Sequence, residues 1–329
     1  MGYNSARYPP RRQARAKAQA INTPDPTYFL AIESGGSGTR LALADVTGRI
    51  LCQEHCDSAS PLYRNSDHFS ANFSAALERI LHGMPPHSPP IAAVGTAGPA
   101  DRALILDIVQ RALPGLAVQE YSEGDLARGL HGVTAGVALV AGTGCSCSAI
   151  DEAGTLTSLG GYGPQFGDEG SAYWIGREGL KAAFLSEQNR IAPTALLPAA
   201  RYFYKIASPW GLLKETEGSG HVPAPRVAAF AVEVDRAAES GDTMAAGILE
   251  EAGAHLGRLI IETAELAGFD FSPVPLAMAG GALRSKRLLE SIRRTLAAGG
   301  VPFLIHPVVH EPIAGLIALL RQTNKTEKA

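Results

Sequence analysis

Cysteine and tryptophan are scarce in this chain of 329 residues, which contains four cysteines and two tryptophans. The cysteines form two close pairs, Cys52/Cys56 and Cys145/Cys147, rather than a disulfide framework, and no secretory signal is apparent. No apolar run approaches the ~18–20 residues that a membrane-spanning helix needs. We therefore expect a cytoplasmic, reduced protein with no membrane partner. His55 lies between Cys52 and Cys56, but no second Cys/His pair accompanies them, so we do not expect a zinc site.

Charge of one sign is also lacking, since 29 basic and 32 acidic side chains leave a formal net charge of −3. This balance favours neither a nucleic-acid partner nor an anionic membrane surface. Apolar residues make up 46% of the chain, which excludes a mostly disordered protein. The length predicts about two domains.

Residues 1–26 differ from the rest of the chain in composition. They contain five basic residues, four prolines and no acid before Asp25. This composition predicts a disordered basic leader. A solvated leader without a role and an arm for nucleic acid or targeting both stay open as interpretations.

The segment from Tyr28 to Glu54 predicts three antiparallel strands joined by glycine turns. The strands are Tyr28–Glu33, Thr39–Asp45 and Arg49–Glu54. A second meander is predicted from Val137 to about residue 154, roughly 100 residues later. Two such meanders suggest an internally duplicated fold. Strands are also predicted at 89–95 and 275–279. Helices are predicted at 69–81, 99–112, 124–132, 168–184, 226–239, 242–267, 285–297 and 311–320, with Asp242 as the N-cap of the helix that it begins.

Three glycine turns follow three apolar strands, at Gly35–Gly38, Gly142–Gly144 and Gly280–Gly281. The first leads directly into another strand, which excludes a dinucleotide fingerprint and a Walker loop. A glycine hairpin still exposes consecutive N–H groups that can bind an anion, and the hydroxyls of Ser37 and Thr39 can add donors. We expect two of the turns to hold phosphates and the third to let adenosine approach the backbone.

The segment Gly160–Ser171 combines many glycines with adjacent carboxylates, which makes it poor core material. One interpretation is a loop that ends in an acidic helix cap at Asp168. The other is a ligand wall, in which backbone amides and the Asp168 carboxylate face a polyhydroxylated substrate. We favour the ligand wall.

Four segments together resemble the N-acetylglucosamine kinase group of the BadF/BadG/BcrA/BcrD ATPase family, within the actin-like ATPase superfamily. They are Glu33-Ser-Gly-Gly-Ser-Gly-Thr39, Ala141-Gly-Thr-Gly144, the stretch from Gly160 to Ile175, and Met278-Ala-Gly-Gly-Ala-Leu-Arg-Ser285. The similarity extends from about Tyr28 to Leu320. It implies an α/β protein with a two-lobed actin-like ATPase (ribonuclease H-like) fold, made of duplicated mixed-sheet domains with an ATP cleft between them.

The same resemblance implies a domain division and a set of site residues. The first lobe would span 27–132 and be closed by the last helix, 311–322, and the second would span 133–310. ATP would contact the three turns, and Glu33 would lie beside the metal and phosphates. The ATP residues would be Gly35, Gly36, Ser37, Gly38, Thr39, Gly142, Thr143, Gly144, Gly280, Gly281 and Ser285, and the sugar wall Cys145, Gly161, Tyr162, Gly163 and Asp168.

Two positions depart from the family pattern. Relatives place a catalytic Asp about nineteen residues before the second phosphate loop, and that position is Glu123, with Asp125 as the alternative base. Glu123 would also contact the substrate. Relatives carry a sugar-binding Asn where this chain has Ser60, and Asn65 substitutes only if a gap is allowed. The longer side chain of Glu123 shifts a carboxylate by more than an ångström, a displacement that can lower a rate severely.

The expected function is an ATP- and Mg²⁺-dependent kinase that phosphorylates an amino sugar such as N-acetylglucosamine or glucosamine. Two alternatives remain. One is an ATPase activator of a 2-hydroxyacyl-CoA dehydratase or benzoyl-CoA reductase, and the other is a catalytically impaired sugar-binding relative. A homodimer is an open alternative for the oligomeric state.

Overall fold

The computed structural model describes residues 13–14, 28–36, 38–58, 66–82, 84, 91–96, 99–116, 118–208, 210–212 and 222–326. The strands are β1 (Gln13–Ala14), β2 (Tyr28–Gly35), β3 (Gly38–Asp45), β4 (Ile50–Cys56), β5 (Ile91–Thr96), β6 (Val118–Ser122), β7 (Gly136–Ala141), β8 (Cys145–Ile150), β9 (Thr155–Gly160), β10 (Val274–Ala279) and β11 (Phe303–Ile305). The helices are α1 (Ser66–His82), α2 (Pro99–Ala112), α3 (Glu123–Leu130), α4 (Ala172–Glu187), α5 (Leu196–Tyr204), α6 (Ala224–Ala229), α7 (Ala231–Glu239), α8 (Thr243–Ala267), α9 (Lys286–Ala298) and α10 (Pro312–Thr326), and Gly281–Arg284 forms a 3₁₀ turn.

The first sheet has the strand order β4-β3-β2-β5-β6. Strands β2, β3 and β4 form the predicted antiparallel meander, and β5 and β6 run parallel to β2. Successive side chains of a strand alternate between faces. Leu30 and Ile32 accordingly pack with α1 and α2, whereas Phe29 and Ala31 pack with α10 on the other face.

The second sheet repeats this plan in the order β9-β8-β7-β10-β11. Its meander is antiparallel, and β10 and β11 run parallel to β7. The expected duplication is thus present. Gln13 and Ala14 pair with β9 as an added edge strand, contrary to the disorder expected for them, and the rest of the leader lies outside the described residues.

Helix α3 lies between the two sheets and leads from β6 of the first to β7 of the second. Leu126 packs in the cluster that joins β2 and α10, whereas Ala127 packs against Ala138 and Ala277 of the second sheet. Helix α10 returns to the first sheet and crosses α3 closely. On this packing we propose the domain division implied by the resemblance, with α10 closing the first lobe.

One helix start differs from the prediction. Helix α4 begins after Ser171, whose hydroxyl accepts the amide of Trp174 at 3.2 Å, so Asp168 is not the cap. Asp168 instead has a left-handed backbone conformation, with φ of 64°. The cap predicted at Asp242 of α8 is confirmed, since its carboxylate accepts the amide of Ala245 at 2.9 Å. No helix in the described part of the chain is long and apolar enough to cross a membrane.

The crossing of α3 and α10 depends on a glycine. A Cβ on Gly315 would lie 2.0 Å from the carbonyl oxygen of Leu126, so Gly315→Ala has to push the helices apart. We expect the variant to lose about 1–3 kcal/mol of unfolding free energy, measured by urea denaturation. Gly247→Ala is the matched control, because Gly247 lies on α8 with open space around it and alanine favours helices. Equal stability of Gly315→Ala and wild type would contradict the close crossing.

Candidate active site

The first glycine turn joins β2 and β3, which pair up to Gly35 and Gly38. Beneath it, the buried hydroxyls of Ser34 and Thr39 are hydrogen-bonded at 2.7 Å. The Ser58 hydroxyl donates to the carbonyl oxygen of Gly35 at 2.7 Å. The Thr39 side chain therefore supports the turn from below. Gly36 lies at the tip, and Ser37, Ser60 and Asn65 lie outside the described residues.

Two carboxylates meet at this turn. A Cβ on Gly35 would lie 3.2 Å from Oε1 of Glu123 and 3.5 Å from Oε1 of Glu33, so both acids face the same side of the backbone. Glu33 is buried, and Arg40 contacts its Oε2 at 3.3 Å. Burial raises the pKa of Glu33, and the Arg40 guanidinium opposes this effect only in part.

Asp125, the alternative base, has partners at both carboxylate oxygens. Its Oδ2 accepts the amide of Ser122 at 3.0 Å and the Ser122 hydroxyl at 2.9 Å. The Asp125 amide in turn donates to Ser122 Oγ at 3.2 Å, and the two amide bonds form a capping box at the start of α3. Its Oδ1 accepts a hydrogen bond from the buried Arg128 at 3.0 Å. Glu123 therefore lies at the first glycine turn, whereas Asp125 stabilises the start of the helix that carries Glu123.

The second glycine turn joins β7 and β8 and is closed by a hydrogen bond from the amide of Gly142 to the carbonyl oxygen of Gly144, at 2.9 Å. Its carbonyl groups dock on the start of α4. The amide of Ala172 donates to Gly142 at 2.9 Å and that of Tyr173 donates to Thr143 at 3.1 Å. A Cβ on Gly142 would meet nothing within 4 Å, so one face of the turn is open to a ligand.

Asp168 lies directly against this second turn. A Cβ on Gly144 would lie 2.6 Å from its Oδ2, and its Oδ1 accepts the amide of Cys145 at 3.2 Å. The amide of Gly163 also donates to the carboxylate, and burial raises the pKa of Asp168. With 4% of its surface exposed, Asp168 ties the glycine-rich loop to the phosphate turn.

The other residues predicted to bind the sugar lie in this loop or, like Cys145, are hydrogen-bonded to it. The amide of Gly161 donates to the carbonyl oxygen of Cys145 at 3.0 Å, and Tyr162 is 73% exposed. The Cys145 thiol donates to the carbonyl oxygen of Glu169 at 3.4 Å, and burial raises its pKa, so the thiol is neutral. Besides backbone groups, the loop presents two exposed aromatic side chains, Tyr162 and Phe166.

The third glycine turn, after β10, lies beside the second. Gly280 has φ of 118°, and a Cβ there would lie 2.3 Å from the carbonyl oxygen of Ala141, so only glycine fits. Gly281 faces open space. Ser285 caps α9 by accepting the amide of Leu288 at 3.3 Å, and its hydroxyl donates to Asp235 at 2.5 Å. Ser285 therefore orders the helix after the turn.

The structure brings together most of the predicted residues. The second and third turns share one edge of the second sheet, and the first turn meets the start of α3, which in turn packs on β7 and β8. Arg40, Arg128, Ser148 and Ser58 contribute to this region and were not predicted. The position of Arg128 among apolar residues of α3 indicates from the sequence that its charge needs a partner, but the sequence does not show that this partner lies in β8.

The chain belongs to the BadF/BadG/BcrA/BcrD ATPase family, whose model matches residues 30–315. The family resemblance stated from the motifs is thereby confirmed. An N-acetylmuramic acid/N-acetylglucosamine kinase from Clostridium acetobutylicum is 25% identical over 285 residues, which cover 82% of this chain and 90% of that protein.

Solved structures show the same fold. A candidate N-acetylglucosamine kinase from Chromobacterium violaceum has a TM-score of 0.66 and 22% identity, covering 91% of this chain and 100% of that one. A ROK family glucokinase from Streptomyces griseus, solved with glucose and AMPPNP, has a TM-score of 0.59 and 17% identity, covering 88% and 97%. The expected actin-like ATPase fold with duplicated mixed sheets is confirmed.

The burial of Glu33 predicts a pH-dependent effect on stability. Because its pKa is raised in the fold, the folded protein binds this proton more tightly than the unfolded chain does. The stability that follows is fully present below the unfolded pKa of about 4.3 and is lost as the pH rises through the folded pKa. We expect Glu33→Gln to raise the melting temperature at pH 7 and to lose this advantage below about pH 4. Thermal denaturation across this range measures both.

Glu54→Gln is the matched control for this prediction. Glu54 lies on β4 in an ion pair with Arg79 at 2.8 Å, with 29% of its side chain exposed, so its replacement should give no gain at either pH. A lower melting temperature for Glu33→Gln at pH 7 would mean that the ion pair with Arg40 outweighs the burial of the carboxylate.

Proposed function

We propose that the protein is an ATP-dependent sugar kinase, which transfers the γ-phosphoryl group to a hydroxyl of an amino sugar such as N-acetylglucosamine or glucosamine. The proposal depends on one observation: the carboxylate of Glu123 lies against Gly35 of the first glycine turn, beside the carboxylate of Glu33. Family membership and the sugar kinase from Clostridium acetobutylicum support the same activity.

In this proposal the three turns hold ATP. Backbone amides at Gly35–Thr39 and those of Thr143 and Gly144 would bind the phosphates, because consecutive N–H groups form anion-binding concavities. The Gly142 amide closes the second turn. Gly281 leaves space beside the backbone for adenosine, as Gly142 does for a phosphate. Thr39 and Ser285 act indirectly, since their hydroxyls hold the turn and α9 respectively.

The residues at the first turn also fit Mg²⁺. Among the residues that the structure describes, no group of three His, Cys, Asp or Glu side chains is arranged to hold a metal alone. Mg²⁺ usually takes one or two carboxylates plus substrate phosphates, and Glu33, whose Oε1 lies beside Gly35, would supply one such carboxylate. When bound, Mg²⁺ would neutralise charge on the phosphates.

Glu123 is the proposed base. Its carboxylate would accept the proton of the sugar hydroxyl while that oxygen bonds to the γ-phosphorus and the bond to the bridging oxygen of ADP breaks. Such a transfer depends mainly on positioning and on stabilising charge. Asp125 is already engaged by Ser122 and Arg128, so it suits a supporting role.

The sugar would lie against the loop that Asp168 attaches to the second turn. The amides of Gly161 and Gly163, Tyr162 and the neutral Cys145 thiol are the proposed contacts, and Asp168 holds their arrangement. Ser60 and Asn65 remain candidates from the sequence. A homodimer likewise remains a prediction.

Cysteine placement disfavours the activator alternative. Cys145 and Cys147 are buried in β8, and Cys56 is buried at the end of β4. A cluster held between two subunits needs thiols at the surface, and none of these three offers one; the fourth, Cys52 on β4, is half-buried.

Incubation with ATP, Mg²⁺ and a panel of hexoses and N-acetylhexosamines tests the activity, with phosphosugar detected by mass. We expect a phosphorylated product from an N-acetylated or free amino sugar. Sugar binding without product would support the impaired relative. Absence of both product and sugar-stimulated ADP release across the panel would contradict the kinase proposal.

Within this panel, Glu123→Gln tests the base. We expect kcat to fall by about 10²–10⁴-fold, because the proton acceptor is removed, while nucleotide affinity stays close to wild type. Glu120→Gln is the control, since Glu120 lies on adjacent β6 in a surface ion pair with Arg102 at 3.3 Å. Full activity in Glu123→Gln with a folded but inactive Asp125→Asn would reverse the assignment.

Gly281→Ala tests the nucleotide site. A methyl group there meets no protein atom within 4 Å, so the melting temperature should not change. It would enter the space assigned to adenosine, and we expect ATP to bind about tenfold more weakly, measured with a fluorescent ATP analogue. Gly247→Ala should leave binding unchanged. Unaltered affinity in Gly281→Ala would place the nucleotide elsewhere.

A further inference from the structure

Arg128 is a fully charged side chain buried between α3 and the second sheet, with 2% of its surface exposed. A buried charge is tolerated when it is paired and hydrogen-bonded. Its Nη2 donates to Oδ1 of Asp125 at 3.0 Å. Its Nη1 lies 3.2 Å from the carbonyl oxygen and 3.1 Å from the hydroxyl of Ser148, in β8. One guanidinium thus joins α3 to β8.

Arg128 is connected through Asp125 and Ser122 to the backbone next to Glu123, the proposed base. Asp125 binds Arg128 with one oxygen and Ser122 with the other, and the Ser122 hydroxyl accepts the amide of Asp125 at 3.2 Å. Glu123 is the residue directly after Ser122. The backbone that aims Glu123 is therefore held from both sides of the first helical turn.

Steric contact fixes the same turn against the same strand. A Cβ on Gly124 would lie 2.3 Å from Oγ of Ser148 and 3.5 Å from Cβ of Ala138, so the backbone of α3 rests directly on β7 and β8. Strand β8 begins at Cys145, immediately after the second glycine turn. The start of α3 and that turn are consequently attached to one rigid strand.

We propose that Arg128 is a positioning residue, which attaches the first turn of α3 to β8 and so keeps Glu123 at a constant distance from the second phosphate turn. The inference rests on the proposed kinase function. It assigns Arg128 no contact with substrate. A displacement of a reacting group by about 1 Å can lower a rate about 100-fold, so a link of this kind affects kcat rather than substrate binding.

Arg128→Lys is the informative variant, because lysine keeps the charge but lacks the planar fork that binds Asp125 and Ser148 together. We expect kcat to fall about 10–100-fold with the KM values for ATP and sugar within about twofold. In a Glu123→Gln background the same substitution should change the residual rate by less than about twofold, because no base remains to be misplaced.

If Arg128→Lys does not fold, Ser148→Ala can be compared in the same way, with and without Glu123→Gln. It removes one acceptor and keeps the carbonyl, so a smaller loss of kcat is expected, again confined to the background with Glu123. Arg111→Lys is the matched control, since Arg111 forms an exposed ion pair with Asp107 on α2, at 2.5 Å. Its kcat should equal that of wild type.

Three results would overturn the inference. Equal losses of kcat with and without Glu123 would assign Arg128 to the stability of the fold alone, and an unchanged kcat in folded Arg128→Lys would remove its role. Wild-type activity in Glu123→Gln would remove the base that Arg128 is said to position. A wild-type chain that forms no phosphosugar would instead overturn the proposed function, and this inference with it.

Discussion

The packing of α3 between two sheets is the constraint on which the arrangement of the site depends. Leu126 of this helix belongs to the core of the first sheet, whereas Ala127 and Gly124 lie against the second. The backbone approaches its neighbours so closely that the helix has little freedom to slide or rotate. Its first residue, Glu123, is thereby held at the first glycine turn while the helix rests on the strand that follows the second.

Glycine serves two purposes in the site, and the structure separates them. At Gly280 and Gly124 there is no room for a side chain, because the backbone touches another element. At Gly142 and Gly281 the adjacent space holds no protein atom within 4 Å. The first kind brings elements together, and the second kind leaves backbone beside open space, as a phosphate or nucleoside site requires.

Most of the carboxylates in this region have a specific partner within the protein. Asp125 is paired with Arg128, Glu33 contacts Arg40, and Asp168 accepts the amides of Cys145 and Gly163. These acids thus have structural partners within the protein. Glu123, half-buried as the first residue of α3, instead lies over Gly35 of the first glycine turn, so two acids only two residues apart have different surroundings.

The two antiparallel meanders, the cap at Asp242 and the three glycine turns at strand ends were predictable, because alternation, capping and turn chemistry depend on residues close in sequence. The parallel strands β6 and β11 were not predicted. The sequence by itself also determined the family, through motifs that are contiguous. It did not decide between Glu123 and Asp125, it left Asp168 open between a helix cap and a ligand wall, and it did not show that Arg128 contacts β8. Arg128 bonds to Ser148, 20 residues away, Asp168 bonds to Cys145, 23 residues away, and Glu123 is distinguished by its position over Gly35. Such pairs form only when the sheets pack, so the tertiary structure alone decided them.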